Sequence, residues 1–229
     1  MQLSIVIPCL NEKETIVRCI EEAKQGILRL GISAEIIVAD NGSSDGSVEL
    51  ARAAGARVVH VPVRGYGAAL KAGILAAQGK YIVMGDSDGS YDFTQVPDFI
   101  RKFDEGYDIV LGNRFLGGIE PGAMPFLNQH LGNPVITVFT QILHGRAFGD
   151  TQCGLRGGTR EALHSLNLQS DQFEYASEMV VKALRSNLRL AEIPVRLRHD
   201  HTDRKPHLRP WRDGLRHMRL IVAHAISRG

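Results

Sequence analysis

Two aspartates one residue apart, Asp86 and Asp88, follow the apolar run Tyr81-Ile82-Val83-Met84. If that run is a buried strand, the pair leaves its carboxyl end, where open α/β sheets bind ligands. Two carboxylates this close repel one another unless a cation stands between them. Mg²⁺ or Mn²⁺ suits that place, because each favours oxygen ligands and completes its shell with water and substrate phosphates. The chemistry implied is the handling of a diphosphate. An Asp-x-Asp also occurs in ordinary polar turns, so its meaning depends on what surrounds it.

The surroundings alternate strand and helix patterns. Residues 3–8 are expected to form a buried strand ending at a proline, and residues 12–30 an amphipathic helix with Ile16, Ile20, Ile27 and Leu30 among its apolar positions. Further strands are expected at 35–40, 57–61, 80–84 and 108–111, with helices at 44–54, 67–77 and 94–103 between them. This order predicts a mostly parallel α/β sheet with helices on both faces. Beyond Gly112 the pattern loosens. A Gly- and Pro-rich loop over 113–126 precedes a charge-poor helix candidate at 127–143 and an extended stretch at 153–156. A helix at 173–185, an extended stretch at 188–197, a polar loop at 198–210 and a final helix at 211–226 follow.

Four early strands hand over to polar segments: Pro8-Cys9-Leu10-Asn11-Glu12, Asp40-Asn41-Gly42-Ser43-Ser44-Asp45-Gly46, Arg64-Gly65-Tyr66-Gly67-Ala68-Ala69-Leu70-Lys71, and Asp86-Ser87-Asp88. In a parallel sheet all four lie along one edge and can converge on one ligand. Asp40 and Asp45 can accept from nucleobase N–H groups or ribose hydroxyls, though both also suit turns and helix caps. Gly65 and Gly67 let backbone approach a ligand closely, but the segment is neither a Walker loop nor a full Gly-x-Gly-x-x-Gly. Lys71 either faces a phosphate or is a solvated helix charge.

These four ordered segments resemble the family 2 glycosyltransferases, which have the GT-A (Rossmann-like) nucleotide-diphospho-sugar transferase fold. Later segments narrow the likeness: Gly112-Asn113-Arg114-Phe115, Asp150-Thr151-Gln152-Cys153-Gly154-Leu155-Arg156 and Glu192-Ile193-Pro194-Val195. These resemble the polyprenyl-phosphate sugar transferases, such as dolichyl-phosphate mannose and glucose synthases, over approximately residues 3–220. The resemblance implies a catalytic domain over 1–197, followed by an acceptor loop and basic amphipathic helix over 198–229.

It also implies roles. Pro8, Asn11, Glu12, Asp40 and Asp45 would line the nucleoside pocket, with Asn41, Gly67 and Lys71 among the residues that bind the nucleotide sugar. Asp86 and Asp88 would hold Mg²⁺ or Mn²⁺ on the donor diphosphate, Asp88 more directly. Arg114 and Arg156 would face donor or acceptor phosphate, and Gln152 would sit near the sugar. Some family members place a metal-coordinating Gln two residues after the second Asp; here Ser90 stands there, leaving that position to water. The implied reaction is inverting transfer of a hexose from a nucleotide sugar, of the UDP-glucose or GDP-mannose class, to a polyprenyl phosphate. A sugar-hydroxyl acceptor would need a general base, for which Glu178 is the candidate. A phosphate acceptor, with a second pKa of about 6, needs positioning rather than deprotonation. A soluble or saccharide hydroxyl acceptor, or a silent nucleotide-sugar-binding scaffold, are the alternatives.

The bulk properties agree with a membrane-surface enzyme. The net charge is +2, yet residues 196–229 carry nine Arg/Lys against three Asp, so the preceding residues carry −4. An acidic body with a basic tail points the tail at something anionic. In the final helix Trp211, Leu215, Met218 and Val222 form an apolar stripe flanked by Arg212, Arg216 and Arg219, which suits either a membrane interface or packing on the domain. No signal peptide is visible and no stretch approaches about 18 uncharged apolar residues. The expectation is a cytoplasmic protein, peripheral on the cytoplasmic face of a membrane, in a short or a truncated form. Three unpaired cysteines, Cys9, Cys19 and Cys153, fit a reducing compartment. The cluster His199, Asp200, His201, Asp203 and His207 is either a metal site or a polar loop, and resembles with Arg204 and Lys205 a mobile acceptor loop. No nucleic-acid-binding module is present.

Overall fold

The first strand, β1 (Leu3–Cys9), is buried at every position, as a strand covered on both faces must be. In the computed structural model, which describes residues 1–145, 148–199 and 210–226, six more strands join it. They are β2 (Ala34–Asp40), β3 (Arg57–His60), β4 (Tyr81–Met84), β5 (Ile109–Asn113), β6 (Arg156–Thr159) and β7 (Leu190–Pro194). The sheet order is β3-β2-β1-β4-β6-β5-β7. The first four strands run parallel, β5 pairs parallel with β7, and β6 is antiparallel to both β4 and β5.

The helices are α1 (Ile16–Leu30), α2 (Ser47–Ala53), α3 (Tyr66–Ala76), α4 (Val96–Asp104), α5 (Arg114–Gly117), α6 (Asn133–His144), α7 (Arg160–Ser165), α8 (Tyr175–Arg185) and α9 (Pro210–Ile226). Alternation along β1 sorts them onto two faces. Leu3, Ile5 and Ile7 pack with Ile16 and Ile20 of α1 and with Phe99 and Phe103 of α4. Val6 points the other way, into a core with Leu70 and Ile74 of α3 and Met179 and Val180 of α8. The expected mostly parallel sheet with helices on both faces is therefore present.

The antiparallel strand matters most for the site. Met84 of β4 and Leu111 of β5 both register with Arg156, the first residue of β6. The amino end of β6 thus lies on the same edge as the carboxyl ends of β1, β2, β4 and β5. The extended stretch expected at 153–156 is the approach to this strand, whose ladder begins at Arg156. Gly157 and Gly158 are poor strand formers, but β6 has a partner on each side, and a Cβ on Gly157 would lie 2.6 Å from Ile82 O. Close packing against β4 decides the residue there.

Two other expectations shift. The helix candidate at 127–143 opens with a wide π-type turn, Asn128–Gly132, before α6 begins. Pro134 lies in the first turn of α6, where its missing N–H costs nothing. The loop over 113–126 holds the short helix α5, capped by the Asn113 side chain, which accepts from Leu116 N at 3.0 Å.

The final helix is packed by a face other than the one its apolar stripe suggests. His217 and Ile221 are buried against the domain, whereas Leu215 is 58% exposed and Ile226 76% exposed. Residues 200–209 of the expected polar loop, with Asp200, His201, Asp203, Arg204, Lys205 and His207, lie outside the described residues, as does the Trp211 side chain. Among the described residues no helix is long and apolar enough to cross a membrane. Cys9, Cys19 and Cys153 are free and buried.

Candidate functional site

The loops after β1 and β2 are stapled to each other. Asn11, held at φ 59°, accepts from Ser44 N at 2.8 Å through its side chain, while its own amide donates to Ser43 Oγ at 2.9 Å. Glu12 N donates to Ser47 Oγ at 2.7 Å and Lys13 N to Asp45 Oδ2 at 3.1 Å. Asp45 also accepts from Ser47 N at 3.0 Å, and the Glu12 carboxylate from Thr15 Oγ1 at 3.3 Å. Asp40 accepts from Ser43 N at 2.9 Å and Gly42 N at 3.2 Å, with His60 Nδ1 at 3.3 Å. Burial raises the Asp40 carboxyl, but the Ser43, His60 and Gly42 hydrogen bonds outweigh it and hold the group below its ordinary value. Asp40 and Asp45 are thus charged and fixed, whatever else they bind.

Asn41 sets the next loop. Its side chain donates to Val63 O at 2.7 Å and accepts from Gly65 N at 2.7 Å. Gly65 and Gly67 are not reserved for a ligand. A Cβ on Gly65 would stand 2.0 Å from Asp171 O, and one on Gly67 would stand 2.4 Å from Ser170 O. What approaches these glycines is the chain's own segment before α8. Lys71 likewise donates to Gln169 O at 2.8 Å and Asp171 Oδ1 at 2.7 Å. It anchors that segment and presents no free ammonium to a phosphate.

Asp86 and Asp88 emerge from β4 as expected. Ser87 between them donates to Pro8 O at 2.7 Å, which locks the pair to the end of β1. Asp88 accepts from Ser90 N at 2.9 Å and Ser90 Oγ at 2.5 Å. Asp86 accepts from Tyr66 Oη at 2.8 Å. Burial and the Asp88 charge push Asp86 up to about 7, against lowering by Tyr66, Arg156 and Arg114. A carboxylate held at such a cost is one that a cation would relieve. Among the described residues no group of three or more His, Cys, Asp or Glu could hold a metal. Phosphate and water oxygens would therefore have to complete the shell around this pair, as Mg²⁺ and Mn²⁺ favour.

The arginines do not face an open phosphate site. Arg114 is buried in a bidentate pair with Asp150, Nε to Oδ2 at 2.6 Å and Nη2 to Oδ1 at 2.8 Å. Arg156 is wholly buried and spends its donors on backbone: Nε on Cys153 O at 2.7 Å, Nη1 on Ala176 O at 3.1 Å and Nη2 on Thr151 O at 3.3 Å. Both act on Asp86 through space, as counter-charges, and both shape the 150–154 loop. Glu178 also departs from its expected role. Its carboxylate accepts from Ser170 N at 2.7 Å, Gln169 N at 2.9 Å and Lys182 Nζ at 2.7 Å. Burial raises it, the Lys182, Ser170 and Gln169 bonds lower it further than that, and the group stays ionised and engaged. It is a loop anchor rather than a free base.

Gln152 stands in the 150–154 loop, its side chain on Thr151 and Ser177. Two residues on, a Cβ at Gly154 would lie 2.4 Å from Asp86 Oδ2, so only glycine fits. Gly154 N donates to Tyr91 Oη at 2.9 Å. Sequence reasoning assigned no role to Tyr66, Tyr91, Gly154 or Asp150. The first, third and last sit inside the motifs themselves, which was the available signal; Tyr91 carried none.

Comparison with known proteins accords with this geometry. The model of glycosyl transferase family 2 matches residues 4–166. The low-salt glycan biosynthesis hexosyltransferase Agl6 of Haloferax volcanii is 35% identical over 224 residues, covering 97% of this chain and 54% of that protein. The chain thus spans about half the length of that curated relative. A dolichyl-phosphate hexose transferase of the same organism is 31% identical over 193 residues, covering 84% of this chain and 81% of the relative. Among solved structures, glucosyl-3-phosphoglycerate synthase from Mycobacterium tuberculosis, in complex with Mn²⁺, UDP and glucosyl-3-phosphoglycerate, aligns with a TM-score of 0.71 at 25% identity. The alignment covers 99% of this chain and 79% of that one. The shared architecture is the GT-A-like α/β fold.

Proposed function

The chain belongs to glycosyl transferase family 2, and from that membership we propose that it moves a hexose from a nucleotide-diphosphate sugar to a polyprenyl phosphate at a membrane surface. The observation that carries the reading is the Asp86–Asp88 pair, set where β1, β4, β5 and β6 bring their ends to one edge. Asp86 and Asp88 would hold Mg²⁺ or Mn²⁺, and the mycobacterial neighbour was crystallised with Mn²⁺ and UDP. When bound, that ion supplies positive charge for the leaving diphosphate. Asp40 and Asp45, on the stapled loops, would accept from the nucleoside of a UDP-glucose- or GDP-mannose-class donor. A phosphate oxygen of the acceptor would then form the bond to the anomeric carbon as the bond to the donor's β-phosphate breaks, with inversion.

Glu178 favours a phosphate acceptor over a hydroxyl. Its carboxylate is occupied by two amides and an ammonium, and an acceptor phosphate, with a second pKa of about 6, asks for no base. The lipid part rests on surface. Val138 and Ile142 of α6 and Leu215, Val222 and Ile226 of α9 are exposed, with Arg212 and Arg219 exposed on the same helix. An apolar face edged by arginines suits an anionic membrane interface. One relative is itself named a dolichyl-phosphate hexose transferase. The solved neighbour's complex with glucosyl-3-phosphoglycerate favours a second reading, transfer to a soluble acceptor.

The test is a thermal-shift panel of nucleoside diphosphates with and without Mn²⁺, followed by donor turnover with undecaprenyl phosphate in detergent or with 3-phosphoglycerate. A Mn²⁺-dependent shift for one nucleotide, lost in Asp88→Asn, is the expected result. No metal-dependent shift for any nucleotide would sink the donor assignment. Turnover only with the soluble acceptor would replace the first reading by the second.

A further inference from the structure

The Gln152 side chain is held by two hydroxyls. Its Nε2 donates to Ser177 Oγ at 3.0 Å and to Thr151 Oγ1 at 3.1 Å. Each hydroxyl is held in turn by a helix of the exposed apolar surface. Ser177 Oγ lies 2.7 Å from His217 Nδ1 of α9, and Thr151 Oγ1 lies 3.1 Å from Thr137 Oγ1 of α6. Ser177, His217, Thr137 and Thr151 are all buried. The two helices are joined to each other as well, His144 Nε2 of α6 meeting Ile221 O of α9 at 3.4 Å.

Buried polar chains of this kind cost folding energy unless every link is made, so they fix one arrangement of the groups they join. Here the arrangement is directional. With both Nε2 hydrogens used by Ser177 and Thr151, the amide oxygen is the atom of Gln152 left for a ligand, and it makes no protein hydrogen bond among the described residues. An oxygen so placed accepts from a hydroxyl, the group a hexose offers. It lies in the loop whose Gly154 abuts Asp86.

We propose that His217 is a positioning residue of the transfer site: through Ser177 it turns the Gln152 amide oxygen toward the donor sugar, so the seating of α9 on the domain sets the sugar-side geometry. This rests on the transfer reading above, which seats the donor diphosphate at Asp86 and Asp88, beside the loop that carries Gln152 and Gly154. It gives α9 a second task. The same helix that shows Leu215 and Ile226 to the outside reaches the site from its inner face through one imidazole.

The test compares His217→Ala, Ser177→Ala and His217→Asn in the full chain. Asparagine keeps a hydrogen-bonding atom near the Nδ1 position. The first readout is the NMR signal of the Gln152 side-chain amide in the unliganded protein, assigned with Gln152→Ala. The second is kcat and donor KM with Mn²⁺, undecaprenyl phosphate, and UDP-glucose or GDP-mannose. The two alanine variants should move the Gln152 signal and lower kcat by up to about a hundredfold, the cost of an ångström-scale misplacement, with donor KM unchanged. His217→Asn should restore both. An unmoved signal and unchanged kcat in His217→Ala would overturn the proposal, as would a loss that His217→Asn does not restore. A moved and restored signal in a chain whose parent turns over no donor keeps the relay and sinks the transfer reading instead.

Discussion

Tyr66 donates its phenol to Asp86 Oδ1 at 2.8 Å while its ring stacks on Phe173, centroids 5.2 Å apart. One residue thus ties the first turn of α3, the segment before α8 and the end of β4 together. The bond favours the ionised form of Asp86, against burial and Asp88, which raise it. Tyr66→Phe keeps the stacking and removes only the donor. If Asp86 holds the ion as proposed, turnover in that variant should need about tenfold more Mn²⁺ for half-maximal rate, the scale on which removing a partner of a metal ligand acts. A Mn²⁺ titration of the rate checks it; an unchanged midpoint would show that the Tyr66–Asp86 bond has no part in holding the ion.

The strand ends were legible because buried parallel strands are written as apolar runs, and Ile36, Ile37 and Val38 or Ile82, Val83 and Met84 leave little choice of element. The position of Asp86 and Asp88, just beyond the end of β4, was legible for the same reason. Arg156 and Arg114 show where this stops. The residue type announces affinity for an anion or a carbonyl, but the partner, Asp150 in one case and backbone oxygens in the other, is set by tertiary contact. Glycines misled in a related way: at Gly65 and Gly67 the close neighbour is protein. His217 was hidden altogether, because a histidine among arginines on an amphipathic helix looks like solvent-facing surface. The apolar stripe through Leu215 and Val222 was seen correctly as a stripe, while which side met the domain depended on Ser177 and α6.

The Arg114–Asp150 pair is buried on both sides, Asp150 fully. Desolvation makes the pair itself a doubtful source of stability, but breaking it leaves an uncompensated charge inside the protein. Asp150→Ala should therefore destabilise by about 3–5 kcal/mol. The double variant Arg114→Met with Asp150→Leu should cost less than Asp150→Ala alone. Denaturant unfolding of the three proteins decides this, and equal or greater loss in the double variant would contradict it.

Glu178 gives the pH prediction. Burial raises its carboxyl, the Lys182, Ser170 and Gln169 hydrogen bonds lower it more, and the folded-state value ends below the ordinary 4.5. A depressed folded pKa stabilises fully above the unfolded value and loses that contribution as pH falls through the folded one. Glu178→Gln should then be less stable than the parent at pH 7, by about 1–3 kcal/mol. The gap should close as pH drops below about 4.5, the unfolded-state value for a glutamate. Thermal or urea unfolding at several pH values measures it. Transfer to a phosphate acceptor should keep its pH profile in this variant, since no essential base has been removed; a lost basic limb would restore Glu178 to general-base duty and favour a hydroxyl acceptor.

The exposed apolar face makes the membrane part of the reading testable apart from the chemistry. Leu215 and Ile226 are 58% and 76% exposed, so replacing both with Ser costs little packing, and each turn of α9 keeps its inner residues, His217 and Ile221, in place. Burying two such side chains in a lipid interface is worth about 1.5–3 kcal/mol apiece, enough that Leu215→Ser with Ile226→Ser should reduce sedimentation with anionic vesicles by more than tenfold. Salt should weaken what remains, because Arg212 and Arg219 would then supply most of the attraction. In detergent, where the acceptor is delivered without a bilayer, the double variant should turn over like the parent. Equal sedimentation of both proteins would mean that the α9 face meets something other than lipid, whereas lost detergent activity would mean that these residues touch the acceptor chain directly.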